Sequence, residues 1–145
     1  MKKILITGAN SYIGCFVENY LRQWPENYET VTVDMIGDGW KEVSFQGYDA
    51  VLHVAGLVHQ PKTKNDPAQA EKYDYVNHRL AVETAKKAKA EGVRQFLFMS
   101  SASVYGLSAP VGKVVMITKN TPLLPTDNYG ISKAKAEERD RKSVV

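Results

Sequence analysis

Hydrophobic residues along the chain are concentrated in four short runs, separated by segments with helical periodicity. The runs are KKILIT at 2–7, ETVTVD at 29–34, DAVLHVAG at 49–56 and RQFLFMS at 94–100. They are nearly continuous rather than alternating, a pattern typical of parallel strands that are buried on both faces. The sequence therefore predicts four parallel β-strands.

Two intervening segments, 12–23 and 66–91, have the spacing of amphipathic helices. The second is the clearer helix, because Asp66 can cap its start, Pro67 suits its first turn and Gly92 can end it. The apolar stripe of the first helix is Ile13, Phe16, Val17, Tyr20 and Leu21. The face of the second that should cover the sheet is Tyr73, Val76, Leu80, Thr84 and Ala88.

This alternation of strands and helices predicts an open parallel α/β sheet with right-handed crossovers. Only 14 residues separate Asp34 from Tyr48, so one strand–helix unit should be abbreviated. Residues 101–128 contain serines, glycines and three prolines, which predicts a long loop. A loop of that length in a compact domain is usually functional or disordered.

The composition indicates a soluble globular protein and excludes several other classes. The 145 residues predict one domain, and 43% hydrophobic with 24% charged residues is ordinary for a soluble globular protein. The net charge of +3 is small and dispersed, so it gives no argument for nucleic acid. The longest apolar run, 50–58, is too short to span a membrane, and no signal-peptide core precedes the first turn. A lone cysteine, Cys15, excludes an internal disulfide, so a cytoplasmic location is predicted.

The turn ITGANSYIG at 6–14 joins the first strand to the first helix. Gly8 permits a sharp turn, Gly14 lets the helix pack closely on the strand, and Ser11 is small enough to stand near a pyrophosphate at the helix N-terminus. Asp34 closes the second strand 20 residues after Gly14, where a carboxylate can accept hydrogen bonds from ribose hydroxyls. The alternative is an ordinary turn with chance glycines. The turn predicts a dinucleotide site, and the carboxylate favours NAD over NADP.

A second group of candidate residues lies later in the chain. Tyr129 and Lys133 are four residues apart in YGISK, on one face of a helix, and Ser101 ends the fourth strand. A tyrosine phenol ordinarily has a pKa of about 10, so a tyrosine base acting near neutral pH needs a nearby positive charge, which a lysine supplies. A Y-x-x-x-K pair alone can occur by chance. Combined with the nucleotide turn, it predicts hydride transfer at a carbinol.

The motifs that carry these residues resemble the extended short-chain dehydrogenase/reductase superfamily, specifically the NAD-dependent epimerase/dehydratase branch that acts on nucleotide sugars. Within this branch, the motifs resemble those of UDP-glucose 4-epimerases. The motifs are TGANSYIG, Asp34, VLHVAG, YVN at 75–77, FLFMSSASVYG and TPLLPTDNYGISK.

The resemblance implies a Rossmann-like sheet and a role for each matching residue. The implied cofactor-binding residues are Gly8, Ser11, Tyr12, Ile13 and Gly14 near the pyrophosphate, Asp34 at the ribose, His53, Val54, Ala55 and Gly56 beneath the cofactor, and Asn77, Tyr129 and Lys133. The implied catalytic residues are Ser101, Tyr129 and Lys133. Tyr129 would take the proton of the sugar 4-hydroxyl while hydride passes to NAD. The implied partner is a nucleotide sugar, a UDP-sugar in the first instance.

Two departures from the family pattern affect the expected activity. Dehydratases of this branch usually carry Thr-Asp-Glu where Ser101, Ala102 and Ser103 stand, which argues against dehydration. Many epimerases of the UDP-galactose type carry lysine in place of Val58. The histidines His53, His59 and His78 lack metal-ligand spacing and are interpreted as structural or surface residues.

The largest departure is length, since the chain ends about one helix after Lys133. Residues 1–145 are therefore expected to be an incomplete NAD-binding domain, truncated before the later strands and the substrate domain. The strand at 94–100 would then be an exposed edge. Three hypotheses stay open: a nucleotide-sugar epimerase, another reductase or dehydrogenase of the branch, and a non-catalytic NAD-binding fragment. The family also implies a homodimer through long helices such as 66–91.

Overall fold

The computed structural model describes residues 1–58 and 65–143, with side chains to residue 139. Within them, a parallel four-stranded sheet is flanked by helices, in the order β2-β1-β3-β4. The strands are β1 (Lys2–Thr7), β2 (Tyr28–Val33), β3 (Ala50–His53) and β4 (Gln95–Phe98). The helices are α1 (Tyr12–Leu21), α2 (Pro67–Tyr73), α3 (Leu80–Ala90) and α4 (Asn128–Ser143). The predicted Rossmann-like α/β fold is confirmed.

The register aligns the carboxyl ends of all four strands, with Val33 of β2 opposite Thr7 of β1. Thr7 of β1 lies opposite His53 of β3, which in turn lies opposite Phe98 of β4. The polypeptide that follows each strand therefore emerges at one edge of the sheet. Ligands of open α/β sheets bind at this edge, and the glycine turn lies there.

The predicted helix 66–91 is present, with one feature that the periodicity did not predict. Asp66 caps it, because its carboxylate accepts a hydrogen bond from the N–H group of Ala68 at 2.9 Å. Between α2 and α3 the helix widens into a π-helical turn, Asp74–Arg79. The predicted sheet-covering face is buried, with Val76 partly exposed. The π-helical turn buries Asn77 as well.

The abbreviated unit between β2 and β3 fills the core with two aromatic residues. This segment contains a single 3-10 turn, Gly39–Glu42. Trp40 and Phe45 pack there against Leu5, Val51 and other core residues. Two large side chains thus occupy core space on this side of the sheet, a role that the sequence analysis did not assign.

The predicted apolar stripe of α1 is only partly buried. Phe16 and Tyr20 are 64% and 52% exposed, whereas Val17 and Leu21 line a groove against the sheet. The apolar pattern of α1 did not specify how much of the stripe is buried, and no element among the described residues covers the outer side of this helix. Leu97 of the outermost strand β4 is 43% exposed beside the same groove.

Candidate functional site

The β1–α1 turn is held in a shape that only glycine permits at its first position. Gly8 has φ of +90°, and a Cβ there would lie 2.9 Å from the backbone nitrogen of Ala55. Gly14 packs with similar closeness, since its Cβ would lie 2.6 Å from Oγ of Ser11. The close approach of turn and helix that the sequence predicted is therefore present in the structure.

Ser11 is the N-cap of α1. Its Oγ accepts a hydrogen bond from the N–H group of Gly14 at 3.1 Å. As an acceptor it keeps its own hydroxyl proton available for a ligand. By helix geometry, the N–H groups of Tyr12 and Ile13 have no carbonyl of their own helix to bond. The helix end therefore offers N–H donors and the positive end of its dipole to an anion.

A crevice of about 460 Å³ opens in front of this turn. Its walls come from four segments: the turn itself, the end of β2, the residues after β3 and the π-helical turn. The lining residues are Gly8, Ala9, Asn10, Ser11, Asp34, Met35, Ile36, Gly37, Ala55, Gly56, Leu57, Tyr75, Val76 and Leu80. Its volume lies within the range of small-molecule and cofactor sites.

A larger groove of about 550 Å³ lies elsewhere on the sheet, bordered by Lys2, Asp49 and Arg94. It is lined largely by aliphatic side chains and contains none of the predicted site residues. The crevice is the stronger candidate because the glycine turn and the N-terminus of α1 border it, and neither borders the groove.

Asp34 stands at the mouth of the crevice, directly after β2. Its Oδ1 accepts a hydrogen bond from the N–H group of Ile36 at 2.9 Å, and its side chain is exposed. That bond uses one of the two carboxylate oxygens of an exposed side chain. The role of Asp34 as an acceptor for ribose hydroxyls stays a prediction.

Lys133 is a buried cation behind the crevice wall. It is 4% exposed, its Nζ donates to the carbonyl of Met99 at 2.8 Å, and the ammonium lies 4.7 Å from the centre of the Phe98 ring. Burial lowers the pKa of Lys133 from 10.5 to about 8, so the group stays mostly protonated at neutral pH. A Cβ on Gly56 would lie 3.2 Å from this Nζ, so the ammonium approaches the crevice where glycine leaves room.

Asn77 forms hydrogen bonds that connect the residues after β3 to α4. Its Oδ1 accepts from the N–H group of Leu57 at 2.7 Å, and its Nδ2 donates to the carbonyl of Leu57 at 3.2 Å. Nδ2 also donates to Oγ of Ser132 at 3.2 Å. Asn77 is fully buried, and its amide joins the residues after β3 to α4.

Tyr129 and Ser101 lie on neighbouring segments. Ser101 caps the 3-10 turn Ala102–Tyr105, where its Oγ accepts from the N–H group of Ser103 at 3.2 Å. Gly130 packs on that turn so closely that a Cβ would lie 2.6 Å from the carbonyl oxygen of Ser103. The ring of Tyr129 lies edge-on to Tyr73 at a centroid distance of 6.4 Å. The first turn of α4 is thus packed against the segment that carries Ser101.

The side chains of four predicted residues do not line the crevice: Tyr12, Ile13, His53 and Val54. His53 is fully buried, bonded through Nδ1 to Oγ1 of Thr7 at 2.8 Å, and its Nε2 has no hydrogen-bond partner among the described residues. Burial, with a smaller effect from the Lys133 charge, lowers its pKa to about 3, so it stays neutral. Val54 packs near Gly14, while the side chains of Tyr12 and Ile13 are exposed.

Sequence reasoning missed several residues that shape the site. Leu57, Tyr75 and the buried Ser132 are the main ones. Motif spacing cannot identify them, because their role depends on the π-helical turn and on contacts between distant segments. Ser132 lies within the quoted YGISK motif, so its place directly before the lysine was the available signal.

The fold and the crevice together define a class: a Rossmann-type α/β protein with a glycine turn at the carboxyl edge of its sheet. A sequence profile described as the NAD dependent epimerase/dehydratase family matches residues 4–140. The chain therefore belongs to the NAD-dependent epimerase/dehydratase family, a family of enzymes. The predicted family and its cofactor, NAD, are confirmed at this level.

Individual relatives differ in activity. GDP-6-deoxy-D-mannose reductase of Pseudomonas aeruginosa is 28% identical over 94% of this chain and 45% of its own length. UDP-glucose 4-epimerase of Vibrio cholerae is 28% identical over 95% of this chain and 46% of its own length. The chain thus spans about half the length of these relatives, and they do not distinguish an epimerase from a reductase.

A solved structure shows the same fold with the cofactor. A short-chain dehydrogenase/reductase superfamily protein from Agrobacterium tumefaciens, determined with bound NAD, is 27% identical with a TM-score of 0.75. The match covers 97% of this chain and 44% of that protein. The similarity extends over nearly the whole chain, and so includes the glycine turn and α4.

The remaining sequence predictions concern membrane spans, metal sites, oligomeric state and location. No helix in the described part of the chain has the length and hydropathy that a membrane crossing requires. Among residues 1–58 and 65–143, no group of three or more His, Cys, Asp or Glu side chains could hold a metal ion. His59 lies outside the described residues. The homodimer and the cytoplasmic location stay predictions.

Proposed function

We propose that this chain binds NAD in the crevice and supplies the hydride-transfer centre of a nucleotide-sugar 4-epimerase resembling UDP-glucose 4-epimerase. The observation that carries the proposal is the buried ammonium of Lys133 behind Gly56, on the same sheet edge as the glycine turn. A cation held there is explained by a reaction that develops negative charge beside it. Residues 1–145 are proposed to be the NAD-binding domain.

The residues around the crevice fit the cofactor. Gly8 keeps the turn flat against Ala55, and the leading N–H groups of α1 point toward the place for a pyrophosphate. The exposed oxygen of Asp34 would accept hydrogen bonds from ribose hydroxyls and repel a 2′-phosphate. Lys133 would hold the nicotinamide ribose. When bound, NAD supplies a hydride acceptor at the sugar carbon.

Tyr129 would act as the base. It stands one helical turn before Lys133, so the two residues share a face of α4, and the proposal requires the ammonium to stabilise negative charge on the phenol oxygen in the complete site. The phenol oxygen takes the proton of the sugar 4-hydroxyl and returns it after the keto sugar has turned over. Ser101 would donate its hydroxyl hydrogen bond to the substrate oxygen.

A reductase is the second candidate, favoured by the 28% identity to GDP-6-deoxy-D-mannose reductase over 94% of this chain. The two activities share Ser101, Tyr129 and Lys133 and differ in which sugar is presented. In an epimerase, the hydride returns to the opposite face of the same sugar. In a reductase, it remains on the product.

Calorimetric titration of the chain with NAD and NADP tests the cofactor proposal. We expect NAD to bind more tightly, and Asp34→Asn to reduce the NAD/NADP affinity ratio by about tenfold, or about 1.4 kcal/mol. Glu29→Gln is the control, because Glu29 is a carboxylate of β2, the strand that precedes Asp34, and pairs with Lys3 outside the crevice. Equal affinities, or an equal effect of both substitutions, would contradict the assignment.

Incubation with NAD and UDP-glucose, or with NADH and a GDP-4-keto sugar, separates the hypotheses on activity. UDP-galactose formed without accumulation of NADH supports the epimerase. Stoichiometric oxidation of NADH supports the reductase. NAD binding with neither product supports a non-catalytic NAD-binding fragment and rejects both activities for this chain.

A further inference from the structure

Two consecutive hydrogen bonds link the π-helical turn Asp74–Arg79 to the first turn of α4. Nδ2 of Asn77 donates to Oγ of Ser132 at 3.2 Å, and this hydroxyl donates to the carbonyl of Tyr129 at 2.8 Å. Both side chains are buried, with exposures of 0% and 2%. These hydrogen bonds thus end on the backbone of Tyr129, the proposed base, and pass through Ser132, the residue directly before Lys133.

The donor and the acceptor of each of these hydrogen bonds follow from the chemistry of the groups. The N–H group of Leu57 can only donate, so the Asn77 atom that it contacts at 2.7 Å must be the amide oxygen. The amide nitrogen therefore faces Ser132 and donates to it. The Ser132 hydroxyl, as acceptor of this bond, gives its own proton to the Tyr129 carbonyl, so each bond sets the direction of the next.

The same contacts fix the distance between two walls of the site. The Asn77 amide holds Leu57, next to Gly56, while Ser132 belongs to α4. A Cβ on Gly56 would meet Oδ1 of Asn77 at 2.9 Å and Nζ of Lys133 at 3.2 Å. The segment after β3, the asparagine and the lysine therefore meet within a few ångströms, and Ser132 is the side chain that joins the asparagine to α4.

We propose that Ser132 is a positioning residue, which couples the Asn77 amide to the first turn of α4 and so sets the depth at which Lys133 is buried behind Gly56. This inference rests on the proposed function for its catalytic meaning. Its physical content, the placement of the ammonium, is independent of any ligand.

The test measures the pKa of Lys133 by carbon-13 NMR of the labelled, ligand-free chain, together with thermal unfolding. In Ser132→Ala, α4 loses its link to Asn77, so water reaches the ammonium and the lysine pKa rises by at least half a unit toward 10.5. Ser132→Cys keeps a small side chain of the same shape, slightly larger than serine, whose S–H group donates only weakly. It should show the same direction of change, and it keeps the test informative if the alanine variant does not fold.

Thr84→Val is the matched control. Thr84 is also a fully buried hydroxyl that donates to a carbonyl of its own helix, that of Leu80 at 2.7 Å. The Thr84→Val substitution removes a buried hydroxyl from α3, away from the hydrogen bond between Asn77 and Ser132. We expect it to lower the unfolding temperature without moving the Lys133 pKa. An unchanged lysine pKa in both Ser132 variants, or an equal rise in Thr84→Val, would overturn the proposal.

NAD affinity separates this inference from the proposed function. If wild-type chain binds NAD and the Ser132 variants bind it at least fivefold more weakly, both proposals are supported. If wild type does not bind NAD while the Lys133 pKa still rises in the Ser132 variants, the cofactor proposal fails and the positioning role stands. If NAD binds wild type and variants equally and the lysine pKa is unchanged, only the positioning role fails.

Discussion

Single residues determine where backbone and charge can approach each other at this site. Gly8 and Gly56 each leave out a Cβ that would collide, one with Ala55 and the other with Asn77 and Lys133. The space that Gly56 leaves is what allows a buried ammonium to stand beside the crevice. At this scale, stability and the proposed chemistry depend on the same few atoms.

Replacing Gly8 by alanine should cost more stability than backbone strain alone explains. A positive φ costs a non-glycine residue about 1–2 kcal/mol, and the contact with Ala55 at 2.9 Å adds to it. Gly47→Ala is the control, since Gly47 has φ of +81° and nothing within 4 Å of the added Cβ. Chemical denaturation should show a loss that is larger in Gly8→Ala by at least about 1 kcal/mol. Equal losses would mean that the turn relaxes away from Ala55.

The burial of Lys133 should make stability depend on pH in a defined window. The folded pKa of Lys133, about 8, lies below the ordinary value of 10.5. Between these pH values the unfolded chain binds more protons than the folded chain, so the free energy of unfolding rises with pH. The shift corresponds to about 3 kcal/mol at most.

Lys133→Met removes this titration. Denaturation curves from pH 7 to 10.5 should therefore show wild type gaining stability relative to the variant as the pH increases. Other groups titrate in both proteins and cancel in the difference. A constant difference over this range would show that the ammonium is hydrated in the folded chain.

At the scale of elements, helix starts fix the segments that carry the site. Ser11 begins α1 beside the crevice, and Asp66 begins α2. The carbonyl of Asp66 also accepts a hydrogen bond from Nδ2 of Asn128 at 2.9 Å, so the starts of α2 and α4 are joined. The π-helical turn between α2 and α3 places Asn77 inward, where it contacts both Leu57 and Ser132.

Removing the cap of α2 tests its contribution. Asp66→Ala removes the acceptor of the Ala68 N–H group and should lower the free energy of unfolding by about 1 kcal/mol. Asp66→Asn retains a capping oxygen and should cost little. Thermal unfolding of the two variants makes the comparison. A loss in Asp66→Asn as large as in Asp66→Ala would assign the effect to charge rather than to capping.

At the scale of the whole molecule, the sheet is covered unevenly. The face toward α3 and α4 holds the core, while Ile4, Leu52 and Leu97 line the open groove beside α1. β4 is the last strand in the sheet order. An apolar surface of this kind binds hydrophobic dyes or other proteins.

The groove should bind the dye ANS in the native state. Leu97→Lys introduces a charge at a half-exposed position, so it should reduce dye fluorescence at least twofold with little loss of stability. Leu124→Lys, at an exposed loop position outside the groove, is the control and should leave fluorescence unchanged. Equal fluorescence of wild type and Leu97→Lys would show that the groove is closed in solution.

The sequence by itself determined the strands, the main helices and the glycine turn, because these depend on local patterns. Continuous apolar runs specify buried parallel strands, and Asp66, Pro67 and Gly92 mark the long helix whatever surrounds it. The motif residues Asp34 and Lys133 could be identified in the same way, since each has a fixed spacing from a structural signal.

Only the tertiary structure decided which residues meet. The π-helical turn, the filling of the core by Trp40 and Phe45, and the link from Asn77 to Ser132 join positions that are distant in the chain. The same holds for the partial exposure of the α1 stripe, which an amphipathic pattern cannot reveal. A pattern specifies which face of an element is apolar, but its burial depends on whether another element lies against it.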